Sequence, residues 1–200
     1  MPSDARTIRF DPITHRYWTG VRELVSVTTV LRDAGLVDPT WYTEASRARG
    51  TALHRATAAL DRGAPLAIVD LALEPYVAAY AAFRHDARPV WHGIDDSVAD
   101  VRLGYAGTRD RWGTLHGDAA VVDLTTGPVP PWAPLQLVGY ARLDLDDHRG
   151  LRRRRLVVQL LLTGRYTVRE YPLVNFGRDE RVFLAALAVA QWKRAASGHA

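Results

Sequence analysis

The spacing of apolar positions divides the chain into strand-like and helix-like stretches. Ile8-Arg9-Phe10 and Arg16-Tyr17-Trp18, with Asp11-Pro12 between them and Gly20 after, predict a short β-hairpin leading into Glu23-Leu24-Val25. Ser26 is placed to cap a helix through Val27, Val30 and Leu31 that stops at Gly35. Asp38-Pro39 has the form of a helix start, with Asp at the cap and Pro in the first turn. From there the pattern Trp41, Ala45, Ala48, Ala52, Leu53, Ala56 and Leu60 runs on to Gly63. A further amphipathic helix is predicted from Leu71 to Phe83, ending before Pro89. Three short strands are expected around Val90-Trp91, Val98 to Leu103 and Tyr105-Ala106.

The stretch Tyr105 to Gly127 organises the rest. A Gly-Thr-x-Asp segment ends in Asp110, a polar turn follows at Gly117-Asp118, and the apolar run Ala119-Ala120-Val121-Val122 delivers Asp123 at its end. Asp is a poor strand former and an unpaired carboxylate is costly to bury, so two such residues on adjacent strand ends call for a cation between them. Either carboxylate alone reads equally well as a turn or cap residue; the pair becomes informative through what flanks it. After Gly127, prolines at 128, 130, 131 and 134 mark a loop entering a helix, Leu135 to Leu143, that carries Gln136 and Tyr140 on one face. Arg152 to Arg155 lead into a strand over Leu156 to Leu162. Its turn at Thr163-Gly164 begins an alternating second arm over 165–171, an antiparallel hairpin. Arg178 to Ala196 closes the chain as an amphipathic helix.

Length adds that 200 residues suit one domain, residues 1–200, since a chain of that size buries roughly 70% of its unfolded surface. There is no cysteine, which excludes disulfides, thiolate zinc sites and cysteine-held iron–sulfur clusters. No run approaches the ~18 apolar residues of a membrane span, and the start MPSDARTIRF lacks the apolar core of a signal peptide; the expectation is a cytoplasmic protein with no membrane partner. The formal charge of +4 permits a polyanionic partner without requiring one. Of the 26 basic residues only Lys193 is lysine, a bias that a GC-rich genome produces without functional meaning.

Within the second long helix lies Arg47-Ala48-Arg49-Gly50-Thr51-Ala52-Leu53-His54. Gly50 and His54 are four apart and share a face, so a backbone or nucleic-acid strand can approach at the glycine while the imidazole faces a metal; His54 by itself also fits an ordinary hydrogen-bonded helix histidine.

Four pieces, Arg49-Gly50-x-x-x-His54, Gly107-Thr108-x-Asp110, Asp123-x-Thr125-Thr126-Gly127 and Gln136-x-x-x-Tyr140, resemble in order and spacing the RecB-type and phage-exonuclease branch of the PD-(D/E)XK nuclease superfamily. The resemblance runs from about Val27 to the terminal helix. It implies a single α/β domain of the restriction-endonuclease-like kind, with a mixed central β-sheet flanked by helices. It implies a divalent-metal-dependent DNA nuclease, exonuclease-like, of phage or bacterial DNA recombination and repair. The implied metal ligands are His54, Asp110, Asp123 and the backbone carbonyl of Leu124, with Asp95 or Asp96 as a further acidic candidate. Such a set suits Mg²⁺ or Mn²⁺, the imidazole tilting the choice toward Mn²⁺. DNA contacts are implied for Arg49, Gln136, Tyr140 and Arg142.

The chain departs from the family at Thr125, where the pattern Asp-x-Lys-Thr-Gly has a lysine that stabilises developing negative charge. Losing one such donor costs about 10²–10³ in rate. Arginines at 109, 111 or 142 offer replacement charge as clamps, never as bases. The alternative is therefore a catalytically inactive nuclease-fold protein that binds DNA or scaffolds a recombination or single-strand-annealing partner.

Overall fold

The computed structural model describes residues 8–38, 40, 43–65, 70–143 and 153–197. The strands are β1 (Ile8–Asp11), β2 (Arg16–Thr19), β3 (Arg22–Ser26), β4 (Val90–Asp100), β5 (Tyr105–Leu115), β6 (Asp118–Thr125), β7 (Arg154–Leu160) and β8 (Tyr166–Tyr171). The helices are α1 (Val27–Asp33), α2 (Glu44–Asp61), α3 (Glu74–Ala87), α4 (Ala133–Ala141) and α5 (Phe176–Ala196). The strands form one mixed sheet in the order β1-β2-β3-β5-β6-β7-β8, with β4 also paired to β5. β3 runs parallel to β5 and β6 parallel to β7; the other pairings are antiparallel. The expected single α/β domain with helices flanking a mixed sheet is what the chain adopts.

Alternation along the central strands sorts the two cores. Val121 and Val157 pack under α1, α4 and α5 with Phe183, Leu137 and Val30. Ala120, Val122, Leu124, Leu156, Val158 and Leu160 pack under α2 and α3 with Leu53, Tyr80 and Phe83. Two glycines let α4 lie close to the layers around it. A Cβ at Gly107 of β5 would come within 2.6 Å of the Tyr140 ring, and one at Gly139 within 2.7 Å of Phe183.

Several boundaries differ from those read in the sequence. Pro39 and Trp41 of the expected helix start, and Arg152 of the arginine run, lie outside the described residues. α2 begins at Glu44 because Thr43 and Ser46 form a reciprocal capping box, each side chain accepting the other's backbone N–H, while Asp38 accepts from the Thr40 N–H instead. α3 starts at Glu74 and runs past Phe83 to Ala87, where Arg88 takes a left-handed φ of 45° ahead of Pro89. The strands expected around Val90 and Val98 are one eleven-residue strand. The polar middle that seemed to divide it is a paired surface: Asp95 and Asp96 meet Arg111 and Arg109 of β5, and the register shifts between Trp91 and Gly93. Asp110 likewise sits inside β5 and not at a strand end.

Arg155 ties the far face together. Fully buried on β7, it donates to Asp179 of α5 at 2.9 Å and to the carbonyls of Pro134 and Pro172 at 3.1 and 3.4 Å. Breaking one partner of a buried pair leaves the other charge desolvated. We expect Arg155→Met to lower unfolding stability by about 3 kcal/mol, the low end of the usual range because Arg178 also contacts Asp179. Arg155→Met with Asp179→Leu should recover most of that loss in chemical denaturation; no recovery would place the cost in packing and not in charge.

Candidate metal centre

The sheet opens where β5 changes partners. β4 follows one edge of β5 throughout, but the other edge is shared: β3 pairs with Tyr105 and Ala106, and β6 pairs from Arg111 to Leu115. Between them, Gly107 to Asp110 have no strand partner on that edge among the described residues. β6 runs on past Val122 beside β7 and diverges from β5, so Asp110 and Asp123 stand on the two arms of a fork. Clefts at the carboxyl ends of strands, where strand order switches, are where open α/β sheets place ligands.

Asp110 bridges the fork by accepting the Leu124 N–H at 2.7 Å. In an extended strand the N–H and C=O of one residue leave by the same edge, so the Leu124 carbonyl faces the fork as well. From α2, His54 brings Nδ1 to 3.7 Å from Asp110 Oδ1. That nitrogen is buried without a hydrogen-bond partner, an arrangement that leaves a lone pair or proton unsatisfied. Asp95 completes a trio: one ligand atom each from His54, Asp95 and Asp110 lie within 4.8 Å of one another.

The sequence left Asp95 and Asp96 undecided, and the register sends them to different partners. Ile94 pairs with Arg111 and Asp96 with Arg109, which sets Asp95 directly opposite Asp110. Like charges placed across a strand pair are destabilising, and Asp95 holds a left-handed φ of 50° as well. Asp96 belongs elsewhere, bonded to Arg109. Asp95 is held by Arg111, whose Nη1 donates to it at 3.0 Å and to the Asp110 carbonyl at 2.6 Å. Burial raises the Asp95 carboxyl above its usual range, Arg111 opposes that, and Asp110 adds to it. Asp95 was one of two acidic candidates that the sequence offered, signalled only by standing upstream of the Gly-Thr-x-Asp segment.

Asp123 is outside the trio but close enough to Asp110 for the two to interact. Burial, then the Asp110 charge, push its carboxyl well above the ordinary range. It accepts from Gln136 Nε2 at 3.1 Å. Tyr140 is buried beside them, its phenol kept neutral first by burial and then by both carboxylates. The cleft, about 530 Å³, is lined by His54, Asp110, Asp123, Leu124, Thr125, Gln136 and Tyr140, with Arg47 and Arg49 on the α2 side. Arg49 Nε donates to Thr126 Oγ1 at 3.2 Å, so it reaches the loop after Asp123.

Three expected cations are not in the cleft. Arg142 pairs with Glu180 of α5, is mostly buried and does not line the cleft. Arg109 is bound to Asp96 and Arg111 to Asp61 and Asp95. Arg111 is drawn inward by Asp61, a fully buried carboxylate that is costly to leave unpaired, while Arg109 and Arg142 are largely buried beside half-buried acids.

No family model matches the chain, and no curated protein matches it. Among solved structures it is similar to LHK-Exo, an alkaline exonuclease from Laribacter hongkongensis, at 15% identity, covering 88% of this chain and 95% of that one, with a TM-score of 0.33. A second structure of LHK-Exo, in complex with dAMP, aligns at 16% identity over the same shares with a TM-score of 0.32. At that distance the chemistry has to be read from the site itself.

Asp123 yields a pH test. Its folded value lies above the ordinary carboxylate value of about 4. Between the two, the folded chain holds a proton that the unfolded chain has released, so metal-free stability falls as pH rises through that window. We expect Asp123→Asn, in EDTA, to melt above wild type at pH 8 and to lose that advantage below about pH 4. A difference in melting temperature that does not change with pH would assign the gain to packing.

Proposed function

We propose that this chain is a divalent-metal-dependent DNA nuclease, exonuclease-like, of the RecB-type branch of the PD-(D/E)XK superfamily, acting in phage or bacterial DNA processing. The observation that carries the proposal is the convergence of His54, Asp95 and Asp110 at the fork of β5 and β6, with the His54 Nδ1 buried and unpartnered. One imidazole and hard carboxylate oxygens are donors that suit Mg²⁺ or Mn²⁺, and Asp123 and the Leu124 carbonyl stand beside them as further oxygens. A divalent ion there supplies Lewis acidity and a bound water of lowered pKa. The chain's own residues do the rest. Gln136 fixes the orientation of Asp123, Tyr140 offers a neutral phenol as a donor, and Arg47 and Arg49 face the cleft as the cations for phosphate.

Incubation of the purified protein with linear and circular DNA, each with Mn²⁺, Mg²⁺ or EDTA, tests this directly. We expect metal-dependent loss of linear DNA, sparing of circles, and a fall of at least about 10²-fold in Asp110→Asn. Equal cleavage with EDTA would remove metal catalysis.

A second reading, a binding or scaffolding protein without cleavage that serves a recombination or single-strand-annealing partner, is favoured by one observation. Thr125 accepts the Gly127 N–H at 3.2 Å within its own loop, and Lys193 Nζ is bonded to the Asp33 carbonyl on the far side of α1. If an ammonium is the missing piece, Thr125→Lys should raise turnover by roughly 10²-fold with little change in DNA affinity. Absence of cleavage in both proteins, while Mn²⁺ still raises the melting temperature, would favour the scaffold.

A further inference from the structure

The cleft is poorly charged for a polyanion. Its two arginines, Arg47 and Arg49, face the two aspartates 110 and 123, so its lining has no excess of positive charge. A chain that tracks phosphates needs cations somewhere else.

They are concentrated at the other end of the β1–β2 hairpin. A groove of about 870 Å³ runs between β2, β3, the turn after β4 and the last turns of α5. Arg16, Arg22, Arg102 and Arg194 line it against one acid, Glu23, which pairs with Arg16 and Arg194. Trp18 is its aromatic wall, and the Arg9 guanidinium lies 4.4 Å over the indole. The register explains the cluster: Arg9, Trp18 and Glu23 are directly paired across β1, β2 and β3, so they share one face, while Tyr17 and Leu24 on the opposite face enter the core. Four arginines against one glutamate leave an excess of three in the lining of the groove, and Arg9, over Trp18 at its edge, has Asp11 beside it on the same face. The groove also adjoins the cleft along the chain. His15, in the turn of the hairpin, lines the cleft, and Arg16 and Trp18, next on the same strand, line the groove.

We propose that this groove is a binding track for single-stranded nucleic acid, separate from the metal centre. Guanidinium groups take the phosphates, and the Arg9–Trp18 stack presents a flat cationic plane on which a base can lie, a combination that tolerates any sequence. A duplex, whose bases are already stacked, gains nothing from that plane. The track holds whether or not the cleft cleaves.

Fluorescence polarisation of a labelled twelve-residue oligothymidylate in EDTA tests it. We expect Arg9→Ala with Arg102→Ala to flatten the salt dependence by about 1.4 in the slope of log K against log salt, at about 0.7 per phosphate contact. Trp18→Leu should weaken binding by about 5- to 100-fold and Trp18→Phe much less, since the ring is kept. Arg181→Ala, exposed on α5 away from the groove, should bind as wild type. Hydrolysis of bis(p-nitrophenyl) phosphate, which reaches the cleft alone, should be unchanged in the groove variants. Its loss in Asp110→Asn, or its absence in wild type, bears on the metal centre and leaves the track standing. Wild-type affinity and slope in the Arg9/Arg102 and Trp18→Leu variants would overturn the proposal, as would an equal loss in Arg181→Ala, which would assign binding to net charge. Tighter binding of duplex with no dependence on Trp18 would overturn it too.

Discussion

A guanidinium with no exposure to solvent sits where α2 and α3 meet the sheet. Arg111 donates from Nε to Asp61 and the Tyr80 hydroxyl, from Nη1 to Asp95 and the Asp110 carbonyl, and from Nη2 to Thr57. Taking such a charge out of water costs several kcal/mol unless its donors are met, and here each nitrogen has a partner. The consequence reaches the cluster of His54, Asp95 and Asp110. Arg111 holds Asp95 in a left-handed conformation opposite Asp110, and it couples that geometry to Asp61, which Arg84 of α3 also contacts at 2.9 Å. The helix that carries His54 and the strand that carries Asp95 are therefore fastened to one side chain. The cluster of His54, Asp95 and Asp110 is thus assembled from three elements.

The fork depends on a different constraint, the ability of backbones to come close. Tyr140 fits against β5 because Gly107 has no side chain, and α4 meets α5 because Gly139 has none. With α4 seated there, Gln136 and Tyr140 close one wall of the cleft and α2 closes the other with Gly50, whose Cβ position is open space. Divergence of β6 from β5 leaves the Leu124 N–H without a strand partner on that side, and Asp110 satisfies it. One carboxylate thus repairs the break in the ladder and faces His54.

Charge is divided between the two ends of the β1–β2 hairpin. Arginines and carboxylates balance in the lining of the cleft and arginines outnumber acids in the groove, while Arg109, Arg111 and Arg155 are buried in ion pairs. A side chain that serves a buried carboxylate is lost to substrate binding. Among the described residues, a chain rich in arginine accordingly brings two of them, Arg47 and Arg49, into the lining of the cleft.

By itself the sequence determined the order of the elements, the hairpin arms, the Ser26 cap, the terminal helix, and the side chains His54, Asp110, Asp123, Gln136 and Tyr140 that share the cleft. The elements follow from local periodicity and spacing, which act over a few residues; the five side chains were marked by the resemblance of four motifs to a nuclease family, and the fold brings them to one cleft. The continuity of β4, the position of Asp110 within β5, the approach of Asp95 to His54 while Asp96 goes to Arg109, and the pairing of Arg142 with Glu180 were decided only by the tertiary structure. Each depends on a partner distant in sequence. Asp95 and Asp96 differ by a single position along the chain, but the register against β5 sends one toward His54 and the other toward Arg109. Arg142 looked available because its sequence neighbours do not show Glu180, 38 positions along the chain on α5. A charge goes to whichever partner burial makes most costly to leave alone, and that partner is known only once the layers are packed.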